Sequence, residues 1–325
     1  MFKKILVPLD RSPFAEQALG PATSIARAAR AEIDLVLVHE PRPLAGSPDV
    51  QWHAEQVDGE EQYLEAIATE LAQSGSIHAT HSVLPGEVVQ AICNRARSID
   101  ADLVVMTTHG RTGLNRAWVG SVADGVLRKS GSPVLMYRPE AKPDRSTPFI
   151  PFKRILVPLD GSELATGVLE TALSLAACCE ARISLLRIVQ PVQLLTAETA
   201  IPFAFPLPVD DDISTKRLAE RAGRELTQVA HGLSDKSIGD VDVHVIVSRD
   251  VGQAIVDFAL ASGIDAIAMS THGRGASRLF VGSVADKVIR SAALPMLLQG
   301  PARNAGSLDV VDAAPSVKHE RALST

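Results

Sequence analysis

At 325 residues the chain is too long for one small domain and suits two of about 150 residues, each expected to carry its own core. Hydrophobic residues make up 46% of it and charged residues 22%, which supplies ample apolar side chain for folded cores and excludes a largely disordered chain. A balance of 32 basic against 38 acidic residues leaves a formal charge of −6, with no cationic surplus to neutralise a phosphate backbone, so nucleic acid is excluded as a partner class.

In chain order, the first ten residues, MFKKILVPLD, hold a short apolar run that ends at Pro8 and Asp10, too brief for the core of a signal peptide. No apolar stretch approaches the roughly 20 residues that cross a bilayer, so the expectation is a cytoplasmic protein with no membrane partner. That run is a predicted strand over 3–9, followed by Ser12 as a helix N-cap and by Pro13 at the first helical position. Further strands are predicted over 32–38, 77–83, 102–107 and 133–137, with segments of helical period between them. The last helix of this half begins at Ser121 and turns Val122, Val126 and Leu127 inward. Cys93, Cys178 and Cys179 have neither a metal-ligand spacing nor an even framework and read as reduced, packed thiols.

The chain then repeats itself. KKILVPLDRS at 3–12 returns as KRILVPLDGS at 153–162, LVVMTTHG at 103–110 as AIAMSTHG at 266–273, and VGSVADGVLRKSGSPVLM at 119–136 as VGSVADKVIRSAALPMLL at 281–298. The second set of strands is accordingly predicted over 153–159, 181–188, 241–247, 264–270 and 295–299, with Ser162 and Ser283 at the matching helix starts and Val284, Val288 and Ile289 as the matching stripe. Extra residues in the middle of the second copy fall in the apolar, proline-rich insert 191–213, read as a flap over the second crevice or as a partner surface. PEAKPDRSTPFIPF at 139–152, with four prolines and no hydrophobic period, is the join. The units are therefore 1–140 and 151–300, a linker over 141–150, and a polar tail, 301–325, of disordered character. Strands alternating with longer helices give an α/β class with a parallel sheet in each unit, and the nearly continuous apolar runs ILVPL and LVVM call for helices on both faces.

ILVPLD, MTTHGRTGLNRAWVGS and SPVLM, each with a counterpart in the second half, resemble the universal stress protein family. The resemblance implies two flavodoxin-like (adenine nucleotide alpha hydrolase-like) domains, each a five-stranded parallel sheet of order 3-2-1-4-5, with a ligand crevice where the order reverses between strands 1 and 4. It also implies binding of ATP, with Mg2+, or of a related adenine nucleotide, in a stress-response regulatory role. Carried over by position, Asp10 and Val38 flank the base and Gly110, Gly120, Ser121 and Val122 the phosphates, with Pro8, Met106 and Thr107 completing the nucleotide-binding set. The second set is Pro158, Asp160, Ile188, Met269 and Ser270 with Gly273, Gly282, Ser283 and Val284. The family's Gly-x2-Gly-x9-Gly-[Ser/Thr] pattern is departed from at its first position, which is Thr107 and Ser270, and in the second copy RGASRLFV leaves eight residues between Gly273 and Gly282 instead of nine.

Simpler readings stand beside these. Asp10 and Asp160 suit the capping of a turn as well as ligand contact. His109 and His272 lack partners at metal-ligand spacing and read as structural, Arg111 and Arg274 as solvated or phosphate-pairing, and Trp118 and Phe280 as loop anchors. Neither crevice shows a nucleophile beside a base, nor a GxxxxGK[ST] loop, which leaves at most slow ATP hydrolysis. Function then divides between a nucleotide-binding regulator and a non-binding scaffold that works through protein contacts. Members of the family dimerise along strand 5, so strand 133–137 is expected to meet strand 295–299 in an intramolecular pseudo-dimer, with room for further homo-oligomers.

Overall fold

In the computed structural model residues 1–39, 50–75, 77–108, 119–138, 149–195, 208–234, 241–271 and 282–300 are described. The tail 301–325, the linker 141–148 and most of the insert lie outside them.

The first half contributes β1 (Lys4–Leu9), α1 (Pro13–Glu16), α2 (Leu19–Ala29), β2 (Glu32–His39), α3 (Val50–Gly75), β3 (Ala79–Pro85), α4 (Val88–Ser98), β4 (Leu103–Thr107), α5 (Ser121–Lys129) and β5 (Val134–Tyr137). The second follows with β6 (Arg154–Pro158), α6 (Glu163–Thr166), α7 (Leu169–Cys179), β7 (Arg182–Val189), β8 (Gln193–Leu195), β9 (Pro208–Asp210), α8 (Asp212–Ser234), β10 (Val241–Val247), α9 (Val251–Ala261), β11 (Ala266–Ser270), α10 (Ser283–Ser291) and β12 (Met296–Gln299). One sheet of ten strands runs β10-β7-β6-β11-β12-β5-β4-β1-β2-β3, so each half has the order 3-2-1-4-5. The pairing within each half is parallel.

At the seam β12 pairs antiparallel with β5, Leu297 opposite Leu135, as the strand-5 expectation required. The ends of the insert pair as a separate two-stranded ribbon, β8 with β9, which the hydrophobic pattern did not signal. β3 starts two residues later than predicted: Ile77 is buried in the core before the chain enters the ladder, and Ala79 is the first residue to pair with β2. Part of the join is also packed. Phe152 is buried, and Phe149 sits edge-on between Phe152 and Tyr137, with ring centroids 5.3 and 6.2 Å away.

The cores divide by face, contrary to the expectation of one per half. α1, α2, α3, α6, α7 and α8 cover one face, where Ile5, Leu35 and Leu135 share a cluster with Ile155, Leu185 and Leu297. On the other face α4, α5, α9 and α10 cover Leu6, Val104 and Met136 together with Leu156, Ile267 and Met296. A sheet that is continuous through β5 and β12 separates its two faces and leaves nothing to separate the halves. The three cysteines are buried and unbridged, and burial pushes the Cys179 thiol up to about 11.

The helix pairs on the second face are packed by a reciprocal exchange. In the first half α4 offers Val89 and α5 offers Gly125, where an added Cβ would lie 2.7 and 2.9 Å from the two Val89 methyls. In the second half the small residue is on the other helix, Gly252 of α9, and a Cβ there would lie 2.9 Å from Cδ of Lys287 on α10. Gly125→Ala is therefore expected to destabilise by about 1–2 kcal/mol, the overpacking exceeding the gain in helix propensity. Combined with Val89→Ala it should become neutral or stabilising, which denaturant midpoints will check.

Candidate functional site

β1 ends because Asp10 turns the chain: its Oδ1 accepts the Ser12 amide at 2.9 Å, and Ser12 Oγ accepts the Ala15 amide at 3.1 Å as the cap of α1. Asp160 accepts the amide and the hydroxyl of Ser162 at 2.8 and 2.6 Å. Both acids thus make the turn that the simpler reading proposed. The residue between is left-handed in each copy, Arg11 at φ 66° and Gly161 at φ 82°.

Side chains alternate between the faces of a strand, and this alternation gathers the other residues. Leu6 and Val36 belong to the core under α4 and α5, so Pro8 and Val38 fall on that same side, while Asp10 lies past the end of β1, where its carboxylate also bears on Tyr63 of the other face. Met106 is buried in that core, and Val38 and Val122 pack on it. In the second half Leu156, Leu186 and Met269 belong to it, Ile188 and Val284 pack on it, and Pro158 shares its side. Thr107 has the opposite parity, that of Val105 in the other core, which turns its side chain away from the α5 side. Ser270 follows the same alternation from Ala268.

The fourth strand and the helix after it are stapled at their ends. The Thr108 amide donates to the Tyr137 carbonyl at 3.0 Å, and the Thr108 carbonyl accepts the Gly120 amide at 2.7 Å. Thr271 repeats this with Gln299 and Gly282, at 2.9 and 2.6 Å. Gly120 has φ −67° and ψ 156°, which any residue adopts, so its need for glycine is one of approach: a Cβ would lie 3.1 Å from the Thr108 carbonyl oxygen, and at Gly282 one would lie 3.2 Å from that of Thr271. The Gly120 amide is therefore engaged within the protein, and the amides offered at the mouth begin at Ser121. Gly120 and Gly282, the N-caps of α5 and α10, make no side-chain cap, and the first-turn amides of Ser121, Val122 and Ala123 have no acceptor within the helix. Such an end favours an anion. The inward stripe is rotated from that expected: Ala123 and Ala285 are buried with Val126, Leu127, Val288 and Ile289, while Val122 and Val284 are half-buried at the mouth.

Gly110, Gly273, His109, His272, Arg111, Arg274, Trp118 and Phe280 lie outside the described residues. Among those described, no group of three His, Cys, Asp or Glu side chains is arranged to hold a metal ion, and no helix is long and apolar enough to cross a membrane.

A polar cluster absent from the sequence reading lies at the ends of β1 and β2 in the first half. The Tyr63 hydroxyl donates to Glu16 Oε1 at 2.8 Å, and His39 Nδ1 lies 2.9 Å from Glu60 Oε2. Counting from the buried Leu64 and Leu226, Ala222 occupies the place of Glu60 and Val189 that of His39, so that pair is lost in the second half, while Glu225, in the place of Tyr63, lies 3.8 Å from the buried Arg187. Helical spacing of Glu60 and Tyr63 carries no signal of this, because their partners come from β2 and α1. Burial, aided by the Asp10 carboxylate, pushes the Tyr63 phenol up to about 12. The folded state therefore holds this proton above the ordinary value of 10.0, and its contribution to stability is lost as pH rises from about 10 through about 12. Ultraviolet titration should show a late phenol that is removed by Tyr63→Phe.

Comparisons with known proteins agree with this architecture. A sequence profile of the Universal stress protein family matches residues 1–138 and again 151–298. A universal stress protein of Methanocaldococcus jannaschii is 31% identical over 145 residues, covering 44% of this chain and 85% of its own. One of Mycobacterium tuberculosis is 26% identical over 234 residues, covering 71% of this chain and 69% of its own. Among solved structures, a universal stress protein from Archaeoglobus fulgidus superposes with a TM-score of 0.67 at 18% identity, covering 91% of this chain and 98% of that one. A protein of unknown function from Pseudomonas aeruginosa gives 0.62 at 16%, covering 93% of each chain. With the family profile matched over both halves and the same fold in structures that span nearly all of the chain, this protein is a tandem two-domain member of the universal stress protein family.

Proposed function

We propose that this protein is a cytoplasmic stress-response regulator that binds ATP or a related adenine nucleotide in the crevice beside strands 1 and 4 of each half. The observation that carries the reading is a convergence. Val38 and Met106 join the core beneath α5 and Ile188 and Met269 that beneath α10, strand alternation gives Pro8 and Pro158 the same side, Asp10 and Asp160 make the turns where β1 and β6 end, and the first-turn amides of α5 and α10 have no acceptor within their helices. A purine suits these apolar side chains, the acid suits ribose hydroxyls, and the helix end suits phosphate, with Mg2+ arriving on the phosphates. Such a site binds without a nucleophile of its own, and nucleotide occupancy then biases the surface offered to protein partners, further copies of the chain among them.

Mass spectrometry of ligand released from gently purified protein and calorimetric titration with ATP test the reading. Adenine nucleotide should be recovered, and Asp10→Ala should weaken titration of the first site while the chain stays folded. Absence of released nucleotide together with absence of binding heat in the wild-type chain would leave a scaffold acting through protein contacts as the function.

A further inference from the structure

Among the described residues the two candidate crevices differ in one cation. α9 and α10 both follow parallel strands, so their N-termini lie together at the mouth of the second crevice. Lys287 is one turn into α10, four residues after Ser283, and so shares its helix face. Side chains on a helix lean toward its N-terminus, and this one does: Nζ pairs with Asp250, the N-cap of α9. The ammonium is thereby delivered to the level of the two helix starts, although its Cα lies a turn below.

The path of the stem is built into the packing. Lys287 Cδ, Cγ and Cβ would lie 2.9, 3.0 and 3.1 Å from a Cβ at Gly252, so the glycine of α9 is the groove in which the lysine lies. In the first half the corresponding pair is Gly125 and Val89, which leaves no cation, and the N-cap there, Glu87, accepts only the Val89 and Gln90 amides, at 3.2 and 2.8 Å, among the described residues. Asp250 parks the Lys287 ammonium, and that hydrogen bond, foremost, holds the Asp250 carboxyl below its ordinary range. The Lys287 side chain remains 43% exposed.

We propose that Lys287 is a specificity residue of the second crevice, selecting nucleotides by phosphate charge, so that the second site favours the triphosphate more strongly than the first. This rests on the nucleotide reading given above. A phosphate chain seated on the Ser283 and Val284 amides takes over the ammonium from Asp250, and each added phosphate charge strengthens that exchange.

The chain carries five methionines, and Met106 and Met269 stand in the two crevice floors, so methyl resonances titrate each site separately in the intact protein. Adenosine, AMP, ADP and ATP are titrated into the wild type and into Lys287→Met, which keeps an unbranched stem over Gly252, and Lys287→Arg. The expected result at Met269 is a loss of about tenfold in ATP affinity in Lys287→Met, about threefold for AMP and little for adenosine, with Lys287→Arg near wild type and Met106 unmoved. Installing the exchange in the first half, Val89→Gly with Gly125→Lys, should raise the ATP to adenosine preference reported by Met106. An equal loss for all four ligands, or no loss, in Lys287→Met overturns the proposal while leaving nucleotide binding standing. A wild-type Met269 that responds to none of the four overturns the nucleotide reading of this site and the proposal with it.

Discussion

Leu297→Asp is expected to destabilise the whole chain, first half included, by about 4 kcal/mol or more, since it places a carboxylate without a partner in a fully buried position. Leu297 lies on β12 opposite Leu135, and both belong to the one core that runs beneath α2 and α7. The carboxylate can regain water only if the seam opens, and opening the seam exposes both halves of that core. Trp52 and Trp118 are both in the first half, so their fluorescence reports on a unit that does not contain the substitution. In denaturant titrations the tryptophan midpoint should fall as far as that of the far-ultraviolet signal. Leu260→Asp, at a position 64% exposed, serves as the control and should move neither. A tryptophan midpoint unchanged in Leu297→Asp would mean that the halves are stabilised independently.

The second large effect is expected at Gly120. Gly120→Val sets a branched side chain against the Thr108 carbonyl oxygen, already 3.1 Å from where the Cβ must go, and over the first-turn amides of α5. The backbone conformation suits valine, so the substitution is resisted by contact alone, at about 1–3 kcal/mol of stability. The loss at the proposed site is larger, because the helix must move away from the strand-4 exit and carry its amides with it. ATP affinity reported by the Met106 methyl should fall by about 100-fold, and that reported by Met269 should stay as in the wild type. Retained affinity at Met106 would remove the α5 amides from the phosphate subsite. Thr107, whose side chain alternation turns toward the other core, should by contrast tolerate Thr107→Ser without loss.

Much of this architecture was open to sequence reading, for identifiable reasons. Burial on both faces makes a central parallel strand a run of apolar residues, so ILVPL and LVVM marked β1, β4 and their repeats to within a residue or two. Ser12 and Pro13 marked the start of α1 because a helix end needs an acceptor for its amides and no N–H at its first position. Internal repetition marked the candidate site twice; Pro8, Val38, Met106 and Val122 share one side of the sheet, whereas Thr107 turns to the other. Other features depended on partners distant in the chain. The ribbon of β8 and β9 has no periodicity long enough to announce it, and Phe149 and Phe152 gain their role from Tyr137 rather than from their proline-rich surroundings. Tyr63 and Glu60 sit on a helix that looks merely polar until α1 and β2 are placed beside it.

What the sequence determined by itself was local and repeated: which segments are strands and helices, where the helices start, and that there are two copies of one unit. Spacing and residue type suffice for those, because each depends on neighbours within a few positions. Only the tertiary structure decided that the cores divide by face, that Gly120 spends its amide on Thr108, and that the exchange of Val89 and Gly125 for Gly252 and Lys287 lets an ammonium pair with the N-cap of α9. Each of these is a contact between elements far apart in the chain, where shape and charge at close approach settle what periodicity cannot.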